Sequence, residues 1–406
     1  MSLDDVAVKA TPRGGEAQFK IGEVIYSRTD KRGVIQAGNA VFRRISGYDW
    51  SDLIGAPQKI LRHADMPRGV FEIFWNRLKA GKTVGAYIKN RTKDGGFYWV
   101  FAIVLPCEGG YMSARVKPVS DRLTSIKALY AELLSLEKQH RWEPAASARW
   151  LEEQFEKQGF EDYQTFMTQA MSEELVARNA SLGREPLTAI QGFADMRRAA
   201  ADLTRQTERL ISEFEMTEII PINFRVIASR LEPNGGPIST LSTNYGGMSR
   251  DMSSWFETNV VGENSNFSKI GSTVTDSVFL QSVSRITQEC AEQLEWERGQ
   301  SPEIDLGDER ERLAVVSRHY DDQSREGRSR LADESRRILD ACKKMNRHML
   351  GLSTTRVMCK IEGALLSSGQ ESLTDIIGEL SGFQQRIRDH LSEIEALSHE
   401  IRGHAV

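Results

Sequence analysis

The first third of the chain alternates short apolar runs with turn-forming residues. Residues 29–33 separate two apolar runs, and residues 93–96 separate the run 86–88 from the run 97–105. Aromatic and β-branched runs broken by Asp and Gly in this way are typical of antiparallel hairpins. We therefore predict an α+β domain over 21–120, with two N-terminal strands, short helices across 39–80 and three C-terminal strands. These elements form a five-stranded antiparallel sheet with helices on one face.

Beyond residue 120 the apolar positions recur with helical spacing. Amphipathic stretches over 121–185 predict a helical connector. From 186 onward, spacings of four and three residues repeat along four stretches, at 189–217, 238–255, 331–352 and 373–401. Sustained heptad spacing of this kind is typical of coiled coils and helix bundles. The region 186–406 is therefore predicted to be all-α.

Helix-breaking residues divide this region into four arms. They are the Glu-Pro-Asn-Gly-Gly-Pro run at 232–237, the Ser-Pro pair at 301–302 and the Ser-Ser-Gly-Gln run at 367–370. Proline and glycine end helices, so the chain reverses at each. We predict an elongated antiparallel four-helix bundle whose hairpin tips, near 234 and 369, lie at the same end. A dimer of longer hairpins is the alternative packing, and 260–273 is expected to form a flexible or kinked segment.

Composition and charge restrict the classes of function. The 406 residues carry a net charge of -4, with 40% hydrophobic and 27% charged residues, so no excess of Lys and Arg points to nucleic acid. The four cysteines form no CxxC pair, which favours reduced thiols. The first 20 residues lack the apolar core of a signal peptide and are predicted to be a flexible tail. The longest near-apolar run, 97–107, is shorter than the roughly 20 residues that span a bilayer. We expect a cytoplasmic protein.

The stretch ILRHADMPRGVFEIFW, at 60–75, carries the candidate chemistry. Arg62 offers a planar donor fork suited to phosphate, His63 can stack or donate, and Asp65 can orient the arginine or accept hydrogen bonds. Trp75 offers a flat wall for an aromatic ligand. From these residues alone, two interpretations stay open. One is a pocket for a flat, anionic ligand, and the other is a solvated loop with an Arg–Asp ion pair followed by a core tryptophan.

The segment 24–118 resembles the flavin-binding PAS domain of bacterial aerotaxis receptors. The resemblance rests on SRTDKRGVI (27–35), GNAVFRRISGY (38–48), LIGAPQKILRHADMP (53–67), FWNRLKAGKTVGAYIKNRTKDGGFYWVFA (74–102) and GGYMSARVKP (109–118). It implies non-covalently bound FAD. The binding residues that it implies are Arg62, His63, Asp65, Trp75, Asn39 and Asn90.

Other interpretations of these residues stay open. The Asn90 amide can donate or accept beside flavin N5, or it can cap a turn. Heme is the alternative cofactor, with His63 or Cys107 as axial ligand. No Asn-Cys-Arg-Phe motif is present, so light-driven flavin adducts are not expected. His390 sits at a heptad core position and is expected to fix register, and no metal site is predicted.

The helical region has a second resemblance. INFRVIASRLEPNGGPISTLSTNY (222–245) is similar to the tip hairpin of methyl-accepting chemotaxis proteins, and RVMCKIEGALLSSGQESL (356–373) is similar to a second such tip. Val226-Ile227 and Asn244-Tyr245 stand where that family has Ile-Glu and Glu-Val, so the hairpins are degenerate copies. The resemblance implies a protein partner at the tips, of the chemotaxis kinase or coupling-protein kind.

Together these patterns predict a cytoplasmic redox or oxygen sensor that is not an enzyme. FAD in the PAS domain would control the packing of a chemoreceptor-like helical output region. No nucleophile–base motif, P-loop or dinucleotide-binding fingerprint is visible in the sequence. The alternative is a scaffold, or a PAS protein binding heme or another small ligand, whose bundle mediates assembly. Whether the chain forms a homodimer stays open.

Overall fold

The computed structural model describes residues 14–217, 219–232, 234–256, 260, 265–298, 306–365 and 370–405. Packing divides the chain into two compact units. The first comprises Met1–Phe193 and Thr275–Glu326, and the second comprises Ala194–Val274 and Gly327–Val406. The domain boundaries predicted from the sequence, at 120 and 185, both fall inside the first unit. Residues 275–326, which the sequence assigned to the bundle, pack with the first unit. Most of the predicted tail, residues 1–13, lies outside the described residues.

The first unit is built around one five-stranded antiparallel sheet, as predicted. The strands are β1 (Val24–Asp30), β2 (Ile35–Gly38), β3 (Val84–Arg91), β4 (Phe97–Cys107) and β5 (Gly110–Val116). Their order in the sheet is β2-β1-β5-β4-β3. β5 pairs with both β1 and β4, so the two predicted groups of strands meet at β5.

Helices account for the rest of the described fold. The first unit contains α1 (Ala40–Ser46), α2 (Trp50–Leu53), a 3₁₀ turn (Gln58–Leu61), α3 (Arg68–Lys79), α4 (Arg122–His140), α5 (Pro144–Lys157), α6 (Tyr163–Ser181) and α7 (Thr188–Gln191). The following helices are α8 (Phe193–Thr217), α9 (Ile219–Leu231), α10 (Pro237–Phe256), α11 (Asn266–Glu297), α12 (Gly307–Ala364) and α13 (Gln370–Ala405). The prediction of a helical C-terminal region is confirmed.

One face of the sheet is covered by the connector helices. The Tyr87 hydroxyl donates to Glu174 Oε1 at 2.8 Å, and the Tyr163 hydroxyl donates to the Gly85 carbonyl at 2.8 Å. Glu174, on α6, also accepts from the backbone amide of Val119 at 2.6 Å. Because Glu174 is 2% exposed, these bonds replace water around a buried carboxylate and hold α6 to β3 and to the end of β5.

Residues 275–326 reach the same face of the sheet near β1. Glu309, at the start of α12, accepts from the Tyr26 hydroxyl at 2.7 Å and from Arg28 Nη2 at 2.7 Å. On α11, Glu289 pairs with Arg178 of α6 at 3.0 Å, with side chains 3% and 1% exposed. Buried carboxylates require such partners, so these contacts define where the two helices dock within the first unit.

The second unit packs helical segments against one another in antiparallel pairs. Gln206 of α8 contacts His390 of α13 at 2.8 Å, and Glu213 contacts Arg386 at 2.8 Å, so residue numbers rise on one helix as they fall on the other. The Phe214 ring stacks on Phe256 of α10, with centroids 4.4 Å apart. On α8, α12 and α13 most of the predicted apolar positions are buried, Leu203, Leu210, Ile338, Met345, Leu380, Ile387 and Ile394 among them.

The predicted helix breaks fall at or near the ends of the observed helices. The run 232–237 lies between α9 and the start of α10, although residue 233 is outside the described residues. The breaks at 301–302 and 367–369, and with them the second predicted tip, also lie outside the described residues. Of the segment 260–273, residue 260 and residues 265–273 are described, and α11 begins at Asn266. Among the described residues, no helix combines the length and apolar character needed to cross a bilayer.

Candidate ligand-binding site

A cavity of about 140 Å³ lies between the other face of the sheet and helix α3. Alternation along the strands directs every second residue to this face. The sheet contributes Ser27, Thr29, Ile88, Asn90, Ala102, Val104, Tyr111, Ser113 and Arg115, and α3 contributes Phe71, Phe74, Trp75 and Leu78. Gly33 and the 3₁₀-turn segment, with Gln58, Lys59 and Arg62, complete the lining.

The wall formed by α3 is apolar and largely aromatic. The Trp75 ring lies edge-on to Tyr111, with centroids 5.7 Å apart, and edge-on to Phe74 at 5.9 Å. α3 begins after Pro67, whose fixed φ suits the residue before a helix. The helix places aromatic residues at 71, 74 and 75 on one side because positions three and four apart share a face. This wall suits the face of a flat aromatic ligand.

The sheet supplies the polar wall. Arg115, on β5, is 6% exposed, and its Nη2 donates to Ser27 Oγ at 2.9 Å. Arg115 Nη1 and Ser113 Oγ are buried and have no hydrogen-bond partner among the described residues. Burial lowers the pKa of Arg115 to about 10. Buried polar atoms without partners are rare in folded proteins, so this wall is suited to a ligand that carries hydrogen-bonding groups.

Arg62 lies where the cavity adjoins a surface groove, because it lines both. Its Nη2 donates to the Met66 carbonyl at 3.2 Å, and its guanidinium lies 4.0 Å from the centre of the Phe71 ring. Burial lowers the pKa of Arg62. A backbone bridge joins Arg62 to Asn90 of β3, which fixes the loop against the sheet. Arg62, Trp75 and Asn90 are the predicted residues that line the cavity together.

The adjoining groove has a volume of about 770 Å³ and is rich in cationic side chains. The cationic residues are Lys59, Arg62, Arg68, Arg91 and Lys138, and His63 lines the groove beside them. Glu137 also lines the groove, but its carboxylate already accepts from the Arg68 amide at 2.7 Å and from Ser147 Oγ at 2.5 Å. Such a concentration of positive charge favours an anionic group.

His63 and Asp65 lie outside the cavity. His63 lines the groove, and its pKa is lowered by burial and by the nearby ammonium of Lys89. Asp65 lies in a neighbouring depression, where it accepts from Lys89 Nζ at 2.6 Å, and this bond lowers its pKa. The Asp65 amide donates to His63 Nδ1 at 3.1 Å. Asp65 therefore pairs with Lys89 and contacts His63, whereas the sequence interpretation paired it with Arg62.

Asn39 is placed away from the cavity. It is fully buried at the start of α1, where Oδ1 accepts from the amides of Phe42 and Tyr26 and Nδ2 donates to the Val24 carbonyl and Glu297. An asparagine at a helix N-cap satisfies the free amides of the first turn. Asn39 therefore caps α1, and it is not among the residues that line the cavity.

The sequence interpretation missed Arg115, Ser113, Ser27 and Gln58 as lining residues. A signal was present in the GYMSARV run, where Ser113 and Arg115 stand two residues apart in a strand and therefore share a face. Both faces of this strand are buried, so the sequence alone does not show which face lines a cavity, and no site was predicted there.

The residues present fit a flavin better than heme or a metal ion. An aromatic wall faces unpartnered polar atoms, and a cationic groove adjoins them through Arg62. His63 lies in the groove, and Cys107 is not among the residues that line the cavity, so neither candidate axial ligand faces the space that a heme would fill. Within the described residues, no cluster of three or more His, Cys, Asp or Glu side chains could hold a metal ion.

Comparison with known proteins finds a similarity to PAS domains within the first third of the chain. Residues 37–110 match the family model described as PAS fold. A stretch of 114 residues is 37% identical to the aerotaxis receptor of Escherichia coli (strain K12), and the match covers 27% of this chain and 22% of that receptor. The chain thus aligns with only about a fifth of the receptor's length.

Solved structures of similar domains include photoreceptor domains. One is the dark structure of the blue-light photoreceptor Aureochrome1 LOV, whose sequence is 23% identical, with a TM-score of 0.22. The match covers 29% of this chain and 86% of the photoreceptor chain. Another is the LOV domain from the Erythrobacter litoralis EL346 blue-light activated histidine kinase, which is 17% identical, with a TM-score of 0.21. The match covers 23% of this chain and 90% of the LOV chain.

Proposed function

We propose that this protein is a non-enzymatic, FAD-binding redox sensor that signals through its helical region. The observation that carries the proposal is the position of Arg62 between an aromatic-walled cavity and a cationic groove. An isoalloxazine ring suits the cavity, because Trp75 would contact its apolar face and Asn90 and Arg115 would bond its polar edges. The bound flavin would supply reversible electron transfer.

The groove favours FAD over smaller flavins. A pyrophosphate carries two negative charges, and arginine forks bind phosphate oxygens in a bidentate manner. Arg62 and His63 line the groove beside the cavity, with Arg68 and Arg91 further along the same lining. Riboflavin has no phosphate and would form no ion pair with these side chains. The similarity of the sensor domain to an aerotaxis receptor supports a sensory role.

A change at the flavin would reach the helices through the sheet. Asn90, on the cavity face, is on the same strand as Tyr87, which bonds Glu174 of α6 on the opposite face. Tyr26 and Arg28, on β1, bond Glu309 of α12. α12 runs without interruption from Gly307 to Ala364, so it offers a continuous path from the sensor contact into the helical region.

The output is proposed to be recognition of a cytoplasmic protein partner near the hairpin tips. Exposed apolar side chains occur on α9 and on the C-terminal half of α12. They include Ile222 and Val226, 62% and 44% exposed, and Val357 and Ile361, 49% and 59% exposed. Exposed apolar residues at such density mark interaction surfaces. A chemotaxis kinase or its coupling protein is the proposed kind of partner.

Ligand titration of the purified full-length protein tests the proposal. We expect flavin absorbance in the purified protein, and tighter binding of FAD than of riboflavin by the flavin-free form. Arg62→Ala should weaken FAD binding roughly 10- to 100-fold, because a charge-assisted hydrogen bond contributes about 1.5–3 kcal/mol. It should change riboflavin binding much less.

Arg149→Ala provides the matched control, because Arg149 is an exposed arginine on α5 that does not line the cavity or the groove. Failure of the protein to bind any flavin would overturn the proposal. Equal affinity for FAD and riboflavin would remove the role of the groove.

A further inference from the structure

Arg115 carries a buried positive charge, and no carboxylate among the described residues pairs with it. Its side chain lines the cavity, is 6% exposed, and bonds the neutral hydroxyl of Ser27 through Nη2. Its other terminal nitrogen, Nη1, has no partner among the described residues. The guanidinium also lies 5.6 Å from the centre of the Phe42 ring, which offers only a weak negative potential. A buried charge in this state favours an anionic partner.

The titratable groups that face Arg115 do not supply that partner. Among the described residues, the titratable groups with an electrostatic effect on Arg115 are Tyr98, on β4, and Cys290, on α11. Burial raises the pKa of the Tyr98 hydroxyl and the pKa of the Cys290 thiol, so both remain neutral near pH 7. The other cations that line the cavity are Lys59, which is exposed, and Arg62, which adjoins the groove.

We propose that Arg115 tunes the redox potential of a flavin bound in this cavity. It would do so by donating a hydrogen bond through Nη1 to the reduced, negatively charged form of the flavin. The proposal rests on the flavin-binding function proposed above. A positive charge at a polar edge of the ring stabilises negative charge there more strongly inside the protein than in water, because the surroundings screen it less. Arg115 is therefore a positioning and tuning residue for electron uptake.

The electron and proton balance follows from this placement. The ring gains two electrons from a reductant, for which dithionite serves in the test and is oxidised to bisulfite. It gains one proton from water at N5. The second proton that a neutral reduced ring would take would stay unbound, because the Arg115 guanidinium would already balance the negative charge on the ring. Two electrons and one proton therefore leave one negative charge on the ring, opposite the guanidinium.

Potentiometric titration of the flavin-loaded full-length protein tests this balance directly. Uptake of one proton with two electrons predicts a midpoint potential that falls by about 30 mV per pH unit near neutral pH. In Arg115→Gln, which keeps a hydrogen-bond donor but removes the charge, we expect reduction to become at least about tenfold less favourable. That change is a fall of about 30 mV or more for a two-electron couple. The slope should steepen toward about 59 mV per pH unit, as for two protons.

Two variants serve as controls. Arg115→Lys keeps the charge and should retain the wild-type slope. Arg149→Gln removes an exposed cation of α5 that lines neither the cavity nor the groove, and it should shift the potential much less, because solvent screens its charge.

The outcomes separate this inference from the proposed function. Flavin binding with a wild-type slope near 59 mV per pH unit overturns the role of Arg115 and leaves the sensor proposal standing. An unchanged potential in Arg115→Gln does the same. If Arg115→Gln does not retain flavin, the role of Arg115 is tested by the pH dependence of the midpoint potential in the wild type and in Arg115→Lys. Absence of flavin from the wild-type protein would overturn the proposed function itself.

Discussion

His63 shows at the scale of a single residue how environment can make ligand binding depend on pH. Burial and the Lys89 ammonium lower the pKa of His63 below 6.5 in the ligand-free protein. A pyrophosphate in the groove would raise that pKa again, since negative charge favours the imidazolium. Binding then takes up a proton between the two pKa values, so FAD affinity should rise as pH falls through this window.

Isothermal titration at several pH values measures this dependence. Riboflavin, which lacks phosphate, should show little of it, and His63→Gln should remove it for FAD. A rise of equal size in the variant would exclude His63 as its source.

Two glycines provide a matched test of the cavity wall. Gly33 has φ +77°, and a Cβ at this position would lie 3.3 Å from the ring of Trp75. Gly81 has φ +73°, but a Cβ there would meet no atom within 4 Å. Replacement of either by Ala should destabilise the fold by about 1–2 kcal/mol through the left-handed backbone. We expect only Gly33→Ala to weaken flavin binding, by several-fold, because it displaces Trp75. Thermal melts and flavin titrations of both variants measure the two effects, and equal flavin affinity would contradict the prediction.

At the scale of secondary-structure elements, Glu174 joins α6 to the sheet. Its carboxylate accepts from Tyr87, from the Val119 amide and from the amide and hydroxyl of Ser120. Glu174→Ala leaves these donors without their partner, so we expect a loss of about 3 kcal/mol in the unfolding free energy. Tyr87→Phe removes only one bond and should cost about 1 kcal/mol.

Urea denaturation followed by circular dichroism compares the two variants. Glu153→Ala, an exposed carboxylate on α5, controls for loss of charge. A loss in Glu174→Ala no larger than in that control would show that the carboxylate does not hold the helix.

The elements were largely predictable from the sequence because their signals are local. Alternating runs and turn residues predict the five strands, and heptad spacing predicts the C-terminal helices. Arg62, Trp75 and Asn90 were predicted as binding residues and do lie together at the cavity. Asn39 was predicted as a binding residue too, but its amide bonds Glu297, 258 positions away, which no local pattern reveals.

The buried lining of the sheet was harder to predict for a related physical reason. Both faces of β5 are buried, so burial alone does not distinguish the cavity face from the face that packs on helices. Arg115 is recognisable as a lining residue only when α3 is known to lie opposite it. Its missing partner is a property of the assembled fold.

For the molecule as a whole, the grouping of residues 275–326 with the sensor unit could not be predicted from periodicity. The grouping depends on contacts such as that between Arg28 and Glu309, which are 281 positions apart. Heptad spacing reports that a helix has an apolar stripe, but it does not identify the surface that buries the stripe. The domain boundaries derived from the sequence therefore remain predictions, whereas the compact units follow from tertiary contacts.

The contact at Glu309 gives a test of how the sensor sheet communicates with α12. Glu309→Ala leaves the Tyr26 hydroxyl buried without its acceptor, and it releases Arg28, which is 20% exposed and regains water. We expect the local opening free energy to fall by about 2 kcal/mol, so that amide exchange in Val24–Asp30 and at the start of α12 rises about 30-fold. Hydrogen exchange of the full-length protein, read by mass spectrometry, measures this change.

The same experiment in the oxidised and reduced states tests the signalling path. If the sheet passes the redox change to α12 through Glu309, exchange at the start of α12 should differ between the two states in the wild type. That difference should shrink in Glu309→Ala, because the variant disconnects β1 from the helix. Glu311→Ala removes an exposed carboxylate two residues further along α12 and should preserve the difference. If both variants retained it equally, the path would run through another contact between the sheet and a helix, such as the hydrogen bond between the Thr83 hydroxyl, next to β3, and Tyr320 of α12, or the bonds of Glu174 on α6.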